Sequence, residues 1–285
     1  MNVALFASLT LRELVRRRLL IVAAVLTLVI VLFTAWGMHR LASAVFNGSP
    51  ISTVAVRATA AGILLVLAFL FSFVVALGGA LIGAPAMAET IANGELLAVL
   101  ARPVRRADVV VGRWLGTVIA LGVYVAVAGG AELLVFYVTT GYAPPNPLAA
   151  LLFLTASGAV VGSASIALAT RLPALAAGAA STMLFGLAWV AGIVESIALA
   201  LGNQGVADAG TVVALLFPSD ALWRGAVYAL EPAAFTVAVG AAGGNGPTNP
   251  FAVTSPPPAA LLVWAFAWIA VVVACGVAAF RTRDL

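Results

Sequence analysis

Two acidic residues inside long apolar runs, Glu132 and Glu195, are the first candidates for chemistry in this sequence. A charge at the bilayer centre costs about 2.5–3.5 kcal/mol on insertion scales, so an acid there calls for a role. Either residue would line a substrate path, act as an ion or proton site, or pair with an arginine such as Arg57 or Arg224. The plainer possibility is that a small shift of the span boundary carries it to the outer interface. His39, beside Arg40 at the end of the first apolar run, is expected to be an interface residue; one histidine cannot make a zinc site with ordinary ligand counts. The single cysteine, Cys275, lies within an apolar run, which excludes an internal disulfide and a cysteine metal cluster. No Ser–His or paired-Asp spacing points to an intramembrane protease. The chain contains no lysine, so a GxxxxGK[ST] phosphate loop is impossible.

These residues sit in an unusual chain. Hydrophobic residues make up 64% of it and charged residues 8%, against about a quarter charged in soluble domains. A soluble globular class is excluded. The expected fold class is an all-α polytopic membrane protein with six spans: Leu19–Met38, Arg57/Ala58–Gly83, Trp114–Tyr137, Leu148–Thr170, Ala174–Leu201 and Ala259–Phe280. Gly79 and Gly83, and again Gly158 and Gly162, have the spacing that lets helices approach closely, which does not by itself establish a dimer. Residues 1–18 read as a separate N-terminal helix lying in the membrane surface. Ala4, Ala7, Leu11, Leu14 and Val15 form its stripe, and Glu13 pairs with Arg17. Residues 19–285 form one transmembrane domain, with Asn47–Pro50 as an outer turn.

The net charge of +4 and pI near 10.0 come from arginines placed beside spans. That pattern serves membrane orientation rather than nucleic-acid binding. With six spans, both termini fall in the cytoplasm and eleven of the fourteen arginines lie inside, leaving Arg40, Arg57 and Arg224 outside. A seventh span through residues 221–242 would invert Arg281 and Arg283, so none is drawn. The connection 202–258 is then external. In it, Ser219 caps a helix over 221–231, Asp220 pairs with Arg224, and Trp223 and Tyr228 sit at headgroup level, as in an interfacial helix.

Residues 85–113 form the largest polar segment expected to be ordered, between spans two and three. Pro85 suits a helix start and Gly94 a helix end; Arg102 and Pro103 close a second short helix. Asp108 falls in the first turn of the next span. The run Gly94-Glu95-Leu96-Leu97, then Arg102-Pro103-Val104-Arg105-Arg106, then Gly112-Arg113 and Leu115-Gly116, resembles the cytoplasmic coupling region of ABC-2 type permeases. Pro218-Ser219-Asp220 ahead of Trp223-Arg224 resembles the same family's pattern before its last span. The layout is also similar to the permease of nitrous-oxide reductase maturation. The chain departs from the family pattern in having only Glu89 ahead of the glycine and Glu95 after it.

The resemblance implies a permease subunit, without enzymatic activity of its own, in the cytoplasmic membrane of a prokaryote. It would work as a homodimer with a separate ABC ATPase subunit that holds ATP and Mg, and this chain would bind no cofactor. Glu89, Asn93, Gly94, Leu97, Arg102, Pro103, Arg105, Arg106, Gly112 and Arg113 are then the ATPase-coupling residues, and the expected transport direction is outward. An ordinary arginine-rich loop remains the plainer reading of the segment. The alternative function is a secondary transporter or channel using Glu132 and Glu195; a membrane-embedded enzyme ranks third.

Overall fold

Two pairs of glycines decide how the bundle is assembled. Helix α3 (Thr53–Ala92) crosses α5 (Pro147–Ala169) in its most extensive packing contact. A Cβ on Gly79 would lie 2.7 Å from the Gly158 carbonyl oxygen, and one on Gly83 would lie 3.1 Å from the Gly162 oxygen. Without side chains at these positions the two backbones touch, and dispersion contacts that lipid would otherwise make are formed between helices. Both Gly-xxx-Gly pairs are thus used within one chain.

The computed structural model describes residues 2–16, 18–46, 49–92, 105–231, 253 and 255–283. Among them are nine helices and a minimal hairpin, in which β1 (Val45–Phe46) pairs antiparallel with β2 (Ser49–Pro50). Besides α3 and α5, the helices are α1 (Asn2–Arg16), α2 (Arg18–Ala42), α4 (Arg106–Thr140), α6 (Ala174–Ala200), α7 (Gln204–Leu216), α8 (Ser219–Leu230) and α9 (Ala259–Arg281). Six of them (α2, α3, α4, α5, α6 and α9) are long and apolar enough to cross a membrane. Most of α2 is exposed at the periphery of the bundle, and α5 is its most buried span.

The ends of the spans carry different chemistry. At one end, Arg106 Nη1 donates to the carbonyls of Phe280, Arg281 and Arg283 at 2.9–3.1 Å, and Arg283 donates to the Thr170 carbonyl. These bonds bring the start of α4 and the ends of α5 and α9 together and satisfy carbonyls that a helix terminus leaves open. At the opposite end, Tyr142 donates its hydroxyl to Leu230 O at 2.7 Å and Asn146 N–H donates to Ala229 O, closing the end of α8 with the α4–α5 loop.

Several expectations need correction. Pro85 does not start a helix. It lies within α3, which runs unbroken to Ala92, and costs one intrahelical bond. The buried side of α1 is Phe6, Ala7, Thr10 and Leu14, whereas Ala4 and Val15 are exposed. Glu13 bonds to Arg113 on α4, while Arg17, its expected i,i+4 partner, lies outside the described residues. The cause is a groove on α4: a Cβ on Gly112 would strike Phe6, and one on Gly116 would lie 2.7 Å from Thr10 Cβ. Helix α1 is therefore seated on the bundle through its close backbone approach.

The connection before α9 also differs. It contains an unforeseen helix, α7, joined to α8 through a 98° bend. Helix α7 runs back along α6, where a Cβ on Gly210 would lie 3.1 Å from Ala191 O, and α8 returns to the Tyr142 loop. The pair is a re-entrant hairpin by this geometry, and it makes a seventh span only if the bent pair is counted as one. Helix α8 is buried on most sides rather than interfacial. Trp223 packs against Phe69 in the core, and of the two aromatics only Tyr228 is exposed. Ser219 is the first helical residue, not a cap, and its hydroxyl has no partner among the described residues. The open carbonyls of Leu215 and Leu216 at the bend accept the indole N–H groups of Trp264 and Trp268 at 2.8 and 2.9 Å. These bonds satisfy carbonyls that the end of α7 leaves open.

Candidate functional site

Three polar centres lie within this frame. The first is built around Arg113, whose side chain is only 2% exposed. Its Nη1 lies 2.6 Å from Glu13 Oε2 and 3.3 Å from Thr10 Oγ1, and its Nη2 donates to Thr90 Oγ1 at 2.9 Å. Its Nε finds no partner among the described residues. One guanidinium thus joins α1, the last turn of α3 and the first third of α4. A crevice of about 10 Å³, room for one water-sized molecule, opens between Glu13, Thr10 and Leu81.

The coupling candidates divide accordingly. Asn93, Gly94, Leu97, Arg102 and Pro103 lie outside the described residues. Glu89 is exposed on the last turn of α3, and Arg105 is exposed just before α4. Arg106 is half-buried and engaged with the end of α9. Gly112 and Arg113 face inward and hold α1, so neither is presented to a protein arriving from outside the bundle.

The second centre is Glu132, two turns from the end of α4. Oε1 accepts from Thr34 Oγ1 of α2 at 3.4 Å, and Oε2 is buried with no partner among the described residues. Two turns further into the bundle, Thr27 Oγ1 and Tyr124 Oη lie 3.0 Å apart across the same helix pair. These contacts are the polar part of an otherwise apolar α2–α4 seam.

The third centre lies at the elbow of the re-entrant hairpin. Arg224 Nε donates to Asp220 Oδ2 at 2.7 Å, and Nη2 reaches Glu195 Oε2 at 3.3 Å and the Gly192 carbonyl at 2.7 Å. Thr211 Oγ1 donates to Glu195 Oε1 at 2.9 Å. The Asp220 carboxylate occupies the space that a side chain at position 192 would need, so Gly192 lets α8 insert against α6. Of the roles weighed for Glu195, the structure shows the pair with Arg224. Glu132 and Glu195 do not share a site, since they sit on different faces of the bundle with different partners.

Sequence reasoning missed Glu13, Thr10 and Thr90 as partners of Arg113, and Thr211 and Gly192 as parts of the elbow. One signal was available for the first set. Gly112-Arg113 followed by Gly116 places an arginine between two contact glycines on a helix, which calls for a neighbour with a carboxylate. Glu13 is the only acid in α1. No protein-family model matches the chain, and no curated protein matches it in sequence.

Proposed function

We propose that this chain is the membrane-spanning subunit of an ABC-2 type transporter, coupling ATP hydrolysis by a separate subunit to export across a prokaryotic cytoplasmic membrane. The observation that carries it is where the family-like segment is attached. Residues 93–104 join the end of α3 at Ala92 to Arg105 at the start of α4, at the end of the bundle that also holds Arg171, Arg281 and Arg283. That end is the cytoplasmic one by the arginine bias. Behind the segment, Arg113 ties both flanking helices to α1. A push delivered on residues 93–104 then reaches α3, α4 and α1 together.

On this reading a pair of chains works with two ATPase subunits, and ATP and Mg are held by the ATPase alone. The alternative of a secondary transporter draws less support, because Glu195 is already engaged by Arg224 and Thr211. Co-purification tests the proposal. A phosphate-loop ATPase encoded beside this chain is expected to stay bound in detergent, and to be lost when Arg102 and Arg105 are both changed to glutamate. Labelling of a cysteine at Gly94 from the outer side of intact cells, or transport by the lone chain in liposomes without ATP, overturns it.

A further inference from the structure

We infer that the corner formed by the first turn of α4, the α5–α6 turn and the end of α9 binds the phosphate headgroup of an anionic glycerophospholipid. The inference rests on the membrane character of the chain and not on the ATPase reading. Four arginines meet there. Arg106 is bonded to three α9 carbonyls, Arg283 to the Thr170 carbonyl, and Arg171 Nη2 to Thr282 Oγ1 at 2.5 Å. The fourth, Arg281, is exposed, and its side chain has no bond among the described residues.

Every acceptor in this set is neutral. A guanidinium bonded to a carbonyl keeps its full charge, and among the described residues none of the four pairs with a carboxylate. Asp108 lies on the first turn of α4, two residues from Arg106, and Asp284 lies outside the described residues. Among the described residues each of the three bonded arginines uses a single terminal nitrogen, which leaves most of its five donors to other partners. Their positions are held by helix ends, which leaves little side-chain entropy to lose on binding. Planar forks with spare donors in a fixed array suit the oxygens of a phosphate.

The flank decides between a lipid and a soluble anion. Leu172 and Leu175 stand directly beside Arg171 at the α5–α6 turn, and Leu175 is 86% exposed. Along the spans, Met183 of α6 and Phe266 and Val271 of α9 are exposed. Charge at the end of the spans, continuous with apolar surface along them, has the shape of a phospholipid: headgroup on the arginines, acyl chains along the helices. A protein partner at this end would cover the charges and leave the apolar flank uncovered.

The experiment uses the full chain, delipidated in neutral detergent and titrated with phosphatidylglycerol, phosphatidylcholine or sodium phosphate. Bound lipid is counted by native mass spectrometry and stability is followed by thermal unfolding. Phosphatidylglycerol is expected to bind and raise the unfolding midpoint, and the zwitterionic lipid and inorganic phosphate are expected to do neither. Arg171→Gln with Arg281→Gln should weaken binding about 10- to 30-fold, and Arg40→Gln, at the other end of the bundle, should leave it unchanged. If the double variant does not fold, Arg281→Gln alone decides, with an expected loss of about 5-fold. Equal binding of both lipids, equal protection by inorganic phosphate, or an Arg281→Gln chain that binds phosphatidylglycerol as tightly as the parent overturns the assignment.

Discussion

Changing Glu13 to glutamine removes the carboxylate that lies 2.6 Å from Arg113 and leaves a guanidinium of 2% exposure facing two threonine hydroxyls. Removing one member of a buried pair costs about 3–5 kcal/mol, because the survivor is an uncompensated charge. Glu13 is itself 40% exposed, so water already screens the pair, and a loss of about 2–3 kcal/mol is the better figure. The loss falls on the docking of α1. It is read by placing a cysteine at Leu14, buried on the α1 face, in a Cys275→Ser background and measuring its rate of maleimide labelling. A penalty of that size raises the open population of α1, and with it the labelling rate, about 30- to 150-fold. Arg113→Met tests the cause. It removes the buried charge while filling similar space, and Glu13 can turn to solvent, so its cost should be about 1 kcal/mol. The double variant should label like Arg113→Met alone. If the double variant instead shows the sum of the two single effects, the uncompensated charge is not what holds α1, and the reasoning fails.

Further perturbations address the other contacts. Gly79→Ala places a methyl 2.7 Å from the Gly158 oxygen, and should cost about 1–2 kcal/mol in detergent unfolding despite its better helix propensity. Gly62→Ala, which faces open space, should be neutral or slightly stabilising in the same assay. Arg224→Ala leaves Asp220 and Glu195 without their cation and should destabilise by about 3 kcal/mol, seen as loss of the α7–α8 hairpin from protease protection. Glu231, buried at the end of α8 and bonded to Val253 N–H, is pushed up from 4.5 to about 7 by burial. Between those values the folded chain keeps a proton that the unfolded chain has shed. Stability should therefore fall as pH rises from 4.5 to 7 and level off above. Glu231→Gln should remove that slope from the thermal unfolding midpoints.

The spans were legible because their signal is local. A run of about 20 apolar residues crosses a bilayer whatever its neighbours do; α2, α3, α4 and α9 contain the expected segments, and α5 and α6 end one residue short of theirs. Asp108 at the start of α4 and the Asp220–Arg224 pair are equally local, since dipole and i,i+4 effects act within a turn or two. Gly79, Gly83, Gly158 and Gly162 announced close contact from their spacing, but spacing cannot say which helix answers which. The tertiary structure pairs them with each other. It also brought Glu13 to Arg113, a neighbour 100 positions away that becomes one only because Gly112 and Gly116 admit α1. The α7–α8 hairpin was hidden for the same reason. Its depth depends on Gly192, Gly210, Trp264 and Trp268 meeting it from other helices. Hydropathy tells a chain where lipid is tolerated; only contact between helices determines which polar groups find one another inside it.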